Sequence, residues 1–158
     1  IKPENIMYNV DTDTPYIGDF GSSYSLDDGA KCNFLRGTKL YYPPEYALNE
    51  PYYPKKADVY CLGVTLHIIL TGFFPYDLDD PIDNRRLCIE NSLSPACRNL
   101  ILRMLRKNPK KRISLKEVMN HSWVVDSVPE NNSPKIRSNY IPKKNNHTLH
   151  WSLQRMYY

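Results

Sequence analysis

The sequence predicts a mainly α fold that opens with one short β-hairpin. Three observations carry that expectation: short extended pieces between Ile6 and Phe20, a long apolar stretch from Val59 to Leu70, and two later serines that each precede a helical period. In the first segment Ile6, Met7, Tyr8 and Val10 form one extended piece and Tyr16 and Ile17 the other, and the polar run Asp11 to Thr14 between them predicts the turn. Gly21 to Pro44 has no helical period and carries Gly29 and Gly37 among Ser, Asp and Lys. Loops of that length in compact domains are usually of the functional kind.

Asp58 precedes Val59–Leu70, which is long enough for three helical turns and is stopped by Thr71-Gly72. Apolar residues cover most of that helix's circumference, so it is expected to be buried on nearly all sides. Ser94 caps a second helix with Pro95 at its first position, and Leu100, Ile101, Met104 and Leu105 recur at helical spacing before Asn108-Pro109. Ser114 caps a third, with Leu115, Val118 and Met119 as its inner face, closed by His121-Ser122-Trp123. After about Asp126 the composition turns to Pro, Asn, Ser and Lys, as in a segment that cannot bury enough apolar surface to order itself. Its last ten residues, from Leu149, regain aromatic character and leave a docking helix and a frayed end equally open. The expected division is a folded unit over 1–125 and a basic, flexible tail over 126–158, without internal repeats.

With 158 residues and 41% hydrophobic composition, the chain has the size of one domain with its own core. Lys and Arg number 21 against 17 Asp and Glu, but Lys135, Arg137, Lys143, Lys144 and Arg155 follow Ser127, where Glu130 is the only acid. The excess belongs to the tail, and the body interleaves both signs, unlike a nucleic-acid-binding face. Neither nucleic acid nor membrane is therefore an expected partner; the longest apolar run is broken by Gly63, Thr65 and His67, and no signal sequence is read at the start. Cys32, Cys61, Cys88 and Cys97 contain no C-x-x-C pair, which argues against zinc and disulfides and for an intracellular setting, cytoplasm or nucleus. N-x-S/T triplets at Asn120, Asn131 and Asn146 are expected to be unmodified, since such triplets arise by chance in a chain rich in Asn, Ser and Thr.

Three strings bear on chemistry: Lys2-Pro3-Glu4-Asn5, Asp19-Phe20-Gly21 and Pro43-Pro44-Glu45. Each alone is a weak signal; in this order and at these separations they match the second half of the protein-kinase signature set. Transfer of a γ-phosphoryl group needs concentrated positive charge on the triphosphate, which a protein supplies by holding Mg2+ with hard oxygen ligands and adding a lysine. Asn5 offers an amide oxygen, Asp19 a carboxylate and Lys2 an ammonium. Asn5 and Asp19 stand fourteen positions apart, which suits neighbouring strands of a hairpin that return both oxygens to one end.

On these residues the chain resembles the C-terminal lobe of a serine/threonine protein kinase over 1–125, a helical half with a short hairpin at the nucleotide cleft in a family that is α+β overall. Asp19-Phe20-Gly21-Ser22 and Gly37-Thr38-Lys39-Leu40-Tyr41-Tyr42-Pro43-Pro44-Glu45 place the resemblance nearest the Pim-type and PAS-domain-type kinases of the calcium/calmodulin-like group. The resemblance implies ATP and Mg2+ as cofactors, Asn5 and Asp19 as metal ligands, and Lys2 and Thr38 as catalytic residues for serine or threonine hydroxyls. It also implies that Met7 packs against the adenine ring, and that Glu4, beside the cofactor, reads a basic residue before the acceptor. Glu45 is expected to pair with Arg112 in Asn108-Pro109-Lys110-Lys111-Arg112, and Asp58, at the start of the central helix, to receive backbone N–H groups from the catalytic loop. The position four before Thr38, which often carries an activating phosphothreonine, is Phe34, so activity is expected not to wait for phosphorylation there.

On the same resemblance the catalytic aspartate would stand just before Ile1, and the Gly-rich loop, the strand lysine with its helix glutamate and the His-Arg-Asp string are not in the chain. The expectation is a segment of a longer kinase, inactive alone, whose central helix exposes an apolar face. The alternative is a non-catalytic kinase-like scaffold; Lys2, Asn5 and Asp19 together weigh for catalysis, because a binding module does not need all three.

Overall fold

The computed structural model describes residues 1–23, 25 and 30–127. The predicted tail from 128 onward, with Asn131, Asn146 and the aromatic end, lies outside the described residues. The elements are β1 (Ile6–Asn9), β2 (Thr14–Ile17), α1 (Pro54–Thr71), α2 (Pro95–Met104), α3 (Leu115–Met119) and α4 (Ser122–Ser127). Single 3-10 turns occur at Pro3–Asn5, Lys39–Tyr41, Pro44–Leu48 and Ile82–Asn84.

The predicted hairpin is present. β1 and β2 pair antiparallel, with Ile6 opposite Ile17 and Asn9 opposite Thr14. Asn9 closes the turn by accepting the amides of Asp11 at 3.0 Å and Thr12 at 3.1 Å through Oδ1, the local bonding that makes Asn a turn residue. Asp13 takes φ 50° in that turn, and Tyr8 Oη donates to its carboxylate.

Helix α1 starts at Pro54 rather than after Asp58, so Asp58 lies inside the helix. Pro54 tolerates the first turn because its missing N–H would have no intrahelical partner there. Gly72 ends α1 at φ 81°, its N–H donating to Ile68 O at 2.8 Å. Val59, Tyr60, Gly63, Val64, Thr65 and His67 are buried, but Cys61, Leu62, Leu66 and Ile68 are only half-buried and Ile69 and Leu70 in the last turn are 58% and 41% exposed, so the helix is not buried on nearly all sides.

Two clusters share α1. Tyr60 and Val64 pack with Tyr41, Tyr76, Cys97, Ile101 and Leu105; Val59 packs with Leu100, Met104, Ile113 and Val118; Trp123 touches both. The helical period predicted for Leu100, Ile101, Met104 and Leu105 is the buried face of α2 and its cap residue. Ser94 Oγ accepts the Cys97 amide at 3.3 Å as predicted. Ser114 and Glu117 form a capping box on α3, and the two Ser114 hydrogen bonds hold the Glu117 carboxyl below its ordinary pKa.

The predicted inner face of α3 is corrected: Val118 is buried, whereas Leu115 and Met119 are exposed. Five residues give α3 little more than one turn, so a single side chain reaches the core. α4 was not expected from the sequence and runs past residue 125 to Ser127. His121 nucleates it by accepting the Trp123 amide at Nδ1, 3.3 Å, while Nε2 donates to Asn99 Oδ1 at 3.1 Å. The four cysteines are free, and no helix among the described residues is long and apolar enough to cross a membrane.

α1 and α2 approach most closely at Gly63, where an added Cβ would stand 2.8 Å from Met104 Cβ and 3.1 Å from Leu105 Cδ2. Gly63→Ala is therefore expected to destabilise the protein by about 1–3 kcal/mol through overpacking, although alanine is the better helix former. Urea denaturation checks the sign; a stabilised variant would mean that the helices can part.

Candidate active site

The hairpin brings its two ends together. Gly18 N–H donates to Asn5 O at 2.7 Å, one step beyond the Ile6–Ile17 pair, so Asn5 and Asp19 leave the sheet side by side. Asn5 Nδ2 lies 3.4 Å from Asp19 Oδ2, a long and weak hydrogen bond. Asp19 adopts φ 55°, a left-handed conformation uncommon outside glycine, and its Oδ1 accepts the Gly21 amide at 3.3 Å. Across 36 positions of sequence, Lys2 Nζ donates to Thr38 Oγ1 at 3.1 Å. Lys2, Asn5, Asp19, Thr38 and Asp58 all line one cavity of about 720 Å³.

Glu4 and Met7 do not line that cavity. The exposed Glu4 accepts from Tyr41 Oη at 3.3 Å, and Met7 packs so closely on Gly18 that an added Cβ there would come within 2.7 Å of Met7 Cε. Asp58 is at the cavity wall. Although Asp58 is exposed as a whole residue, desolvation raises its carboxyl pKa.

The donor set fits magnesium. Mg2+ keeps several waters and takes one or two protein ligands beside phosphate oxygens, and Asn5 and Asp19 are a carboxamide and a carboxylate with no sulfur between them. The Asn5 amide, turned over, would present its oxygen to such an ion. Among the described residues no group of three or more His, Cys, Asp and Glu is placed to hold a metal by itself.

Glu45 and Arg112 form the expected pair. Arg112 Nη1 and Nη2 each bond a different Glu45 oxygen at 2.7 Å, with side-chain exposures of 0% and 4%. Arg112 Nη1 also donates to Lys56 O at 2.7 Å, Nη2 to Lys107 O at 3.2 Å and Nε to Arg106 O at 2.9 Å. The Tyr60 ring lies 5.0 Å from the guanidinium.

The loop before Thr38 is tied down by neutral groups. Cys32 and Tyr52 exchange backbone hydrogen bonds at 2.9 and 2.8 Å, Tyr52 Oη donates to Phe34 O at 2.9 Å, and Tyr46 Oη donates to Tyr52 Oη at 3.2 Å. Tyr76, Cys61 and Arg85, which hold the loop after Thr38, were not legible in the sequence. Cys61 stands in the Asp58–Val64 string, but none of the three lies at a telling spacing from the residue it holds.

The model of the protein kinase domain matches residues 1–124, and the chain belongs to that family. It is 33% identical over 142 residues to serine/threonine-protein kinase pim-2 of Danio rerio, an alignment covering 90% of this chain and 46% of the relative. It is 36% identical over 132 residues to sperm motility kinase 2B of Mus musculus, covering 80% and 27%. With serine/threonine-protein kinase SAPK9 of Oryza sativa subsp. japonica it shares 37% identity over 142 residues, covering 82% and 39%. The chain spans less than half the length of these curated relatives.

Removing either member of the Glu45–Arg112 pair strands the other charge in the interior. Arg112→Met and Glu45→Gln are each expected to destabilise the protein by about 3–5 kcal/mol in urea denaturation. Arg103→Ala, at the exposed 3.6 Å bridge to Glu117, is expected to change nothing measurable.

Proposed function

We propose that the whole protein is a serine/threonine kinase of the Pim- or PAS-domain-kinase type, in which this chain supplies the C-terminal lobe from the catalytic loop onward. The observation that carries the proposal is the meeting of Lys2, Asn5, Asp19 and Thr38 in one cavity, where the hairpin sets Asn5 beside Asp19 and the Lys2–Thr38 bond closes 36 positions of sequence. Mg2+ and ATP, when bound, supply the γ-phosphoryl group and neutralise its charge. Asn5 and Asp19 would hold the ion, kept side by side by the hairpin. Lys2 places its ammonium at the cavity wall and, through Thr38, ties the hairpin end to the loop that follows.

The acceptor is a serine or threonine hydroxyl of a protein. Glu4, exposed and accepting from the Tyr41 hydroxyl, would favour a basic residue before that acceptor. The free cysteines agree with a reducing cytoplasmic or nuclear setting.

The test is ATP-dependent phosphorylation of a basic serine peptide by the full-length protein. Asp19→Ala and Asn5→Ala are each expected to lower kcat on the order of 100-fold or more. A folded, inactive wild type would instead make the protein a kinase-like scaffold.

The tyrosine-held loop around Phe34 supports activity without a phosphate in that loop. Mass spectrometry of the active protein is expected to find no stoichiometric phosphate between Ser22 and Thr38. Phosphatase-sensitive activity with a phosphate there would overturn this.

A further inference from the structure

Three consecutive carbonyls in the loop after Thr38 are each bonded by a side chain from a distant part of the chain. Tyr76 Oη donates to Leu40 O at 2.7 Å, Cys61 Sγ to Tyr41 O at 3.3 Å and Arg85 Nη1 to Tyr42 O at 3.0 Å. The tyrosine and the thiol are neutral; Arg85 is different. It is 4% exposed, its guanidinium lies 4.2 Å over the Tyr76 ring, and its Nε is buried without a hydrogen-bond partner. Among the described residues no carboxylate is within ion-pair distance of it.

A buried guanidinium with an unmet N–H and no counter-ion is a poor way to fill a core, and an apolar side chain of similar volume would cost less. What the arginine adds is a charge-assisted donor on the Tyr42 carbonyl and a flat face on Tyr76, the residue that holds Leu40. Its grip continues toward the cavity. Tyr42 Oη donates to Gly37 O at 3.2 Å, Gly37 turns at φ 110°, and the next residue is Thr38, held by Lys2. Asn5 and Asp19, in contrast, are placed by the hairpin and share no hydrogen bond with this loop.

We propose that Arg85 is a positioning residue for the protein substrate: through Tyr42 and Tyr76 it sets the shape of the 38–44 loop that receives the acceptor segment, without acting on the nucleotide. This rests on the kinase function proposed above. The loop would then be specified by a side chain that touches neither substrate nor cofactor.

The experiment uses the full-length protein with Arg85→Gln, Arg85→Lys and Tyr76→Phe, measuring KM for a serine peptide and for ATP, and amide hydrogen exchange over 38–45. Arg85→Gln is expected to raise the peptide KM about tenfold, to leave the ATP KM within about twofold, and to speed exchange in the loop but not in α2. Arg85→Lys, which keeps a cationic donor, is expected to recover most of the loss. Tyr76→Phe, which keeps the ring under the guanidinium and removes only the Leu40 bond, is expected to shift the same two readouts in the same direction and serves if Arg85→Gln does not fold. An unchanged peptide KM, peptide and ATP KM rising together, or a lysine variant as impaired as the glutamine one would overturn the proposal. An inactive wild type would defeat the kinase function instead; the exchange measurement then decides alone, and unchanged protection over 38–45 overturns the role of Arg85.

Discussion

The structure depends on one buried cation. Arg112 has five N–H groups, and the five bonds observed, two to Glu45 and one each to the carbonyls of Lys56, Arg106 and Lys107, use all of them. Burying such a charge costs least when it is fully paired and bonded. Its partners lie in the turn Pro44–Leu48, the first turns of α1 and the connection between α2 and α3. Lys56 Nζ returns a bond to Arg112 O, so the start of α1 is held from both sides. A single side chain therefore fixes where the loop carrying the Pro-Pro-Glu string meets the helical core.

From Arg112 the constraint passes to a second buried arginine through Tyr60. The Tyr60 ring lies against Arg112, and the positive charge of Arg85 also acts on its phenol. Burial pushes the Tyr60 phenol up to about 12, while the two guanidiniums pull it down, so it stays a neutral donor and acceptor at ordinary pH. Glu45 and Tyr42, on either side of Pro43-Pro44, are thus each held by a buried arginine. The loop leaves this anchorage toward Thr38, where Lys2 joins it to the hairpin. The cavity lies where the hairpin and the loop meet.

The two halves of the site differ in how they are held. The hairpin needs little beyond its own turn, the Gly18–Asn5 bond and the packing of Met7 on Gly18. The loop from Cys32 to Pro44 has no regular structure except one short turn, and is ordered by bonds from Tyr52, Tyr76, Cys61 and Arg85. Long loops have high conformational entropy, and each of these contacts must offset part of it.

The sequence by itself determined the hairpin, the serine caps of α2 and α3, the stop at Gly72 and the Lys2–Asn5 and Asp19–Gly21 strings, which contribute to the cavity lining. Those features are local: turn chemistry, capping and helical period act over a few residues, and the strings are legible as strings. It also made Glu45 and Arg112 partners, but only through the family pattern, since 67 positions separate them. Only the tertiary structure decided that α1 begins before Asp58, that Leu115 and Met119 face outward, that α4 forms on His121, and that Glu4 and Met7 lie outside the cavity. Each depends on which surface packs against which, a property that period and propensity do not carry. Arg85 is the clearest case: in the sequence it is one of two adjacent arginines in a polar turn, and only the packing buries one of them against the loop after Thr38.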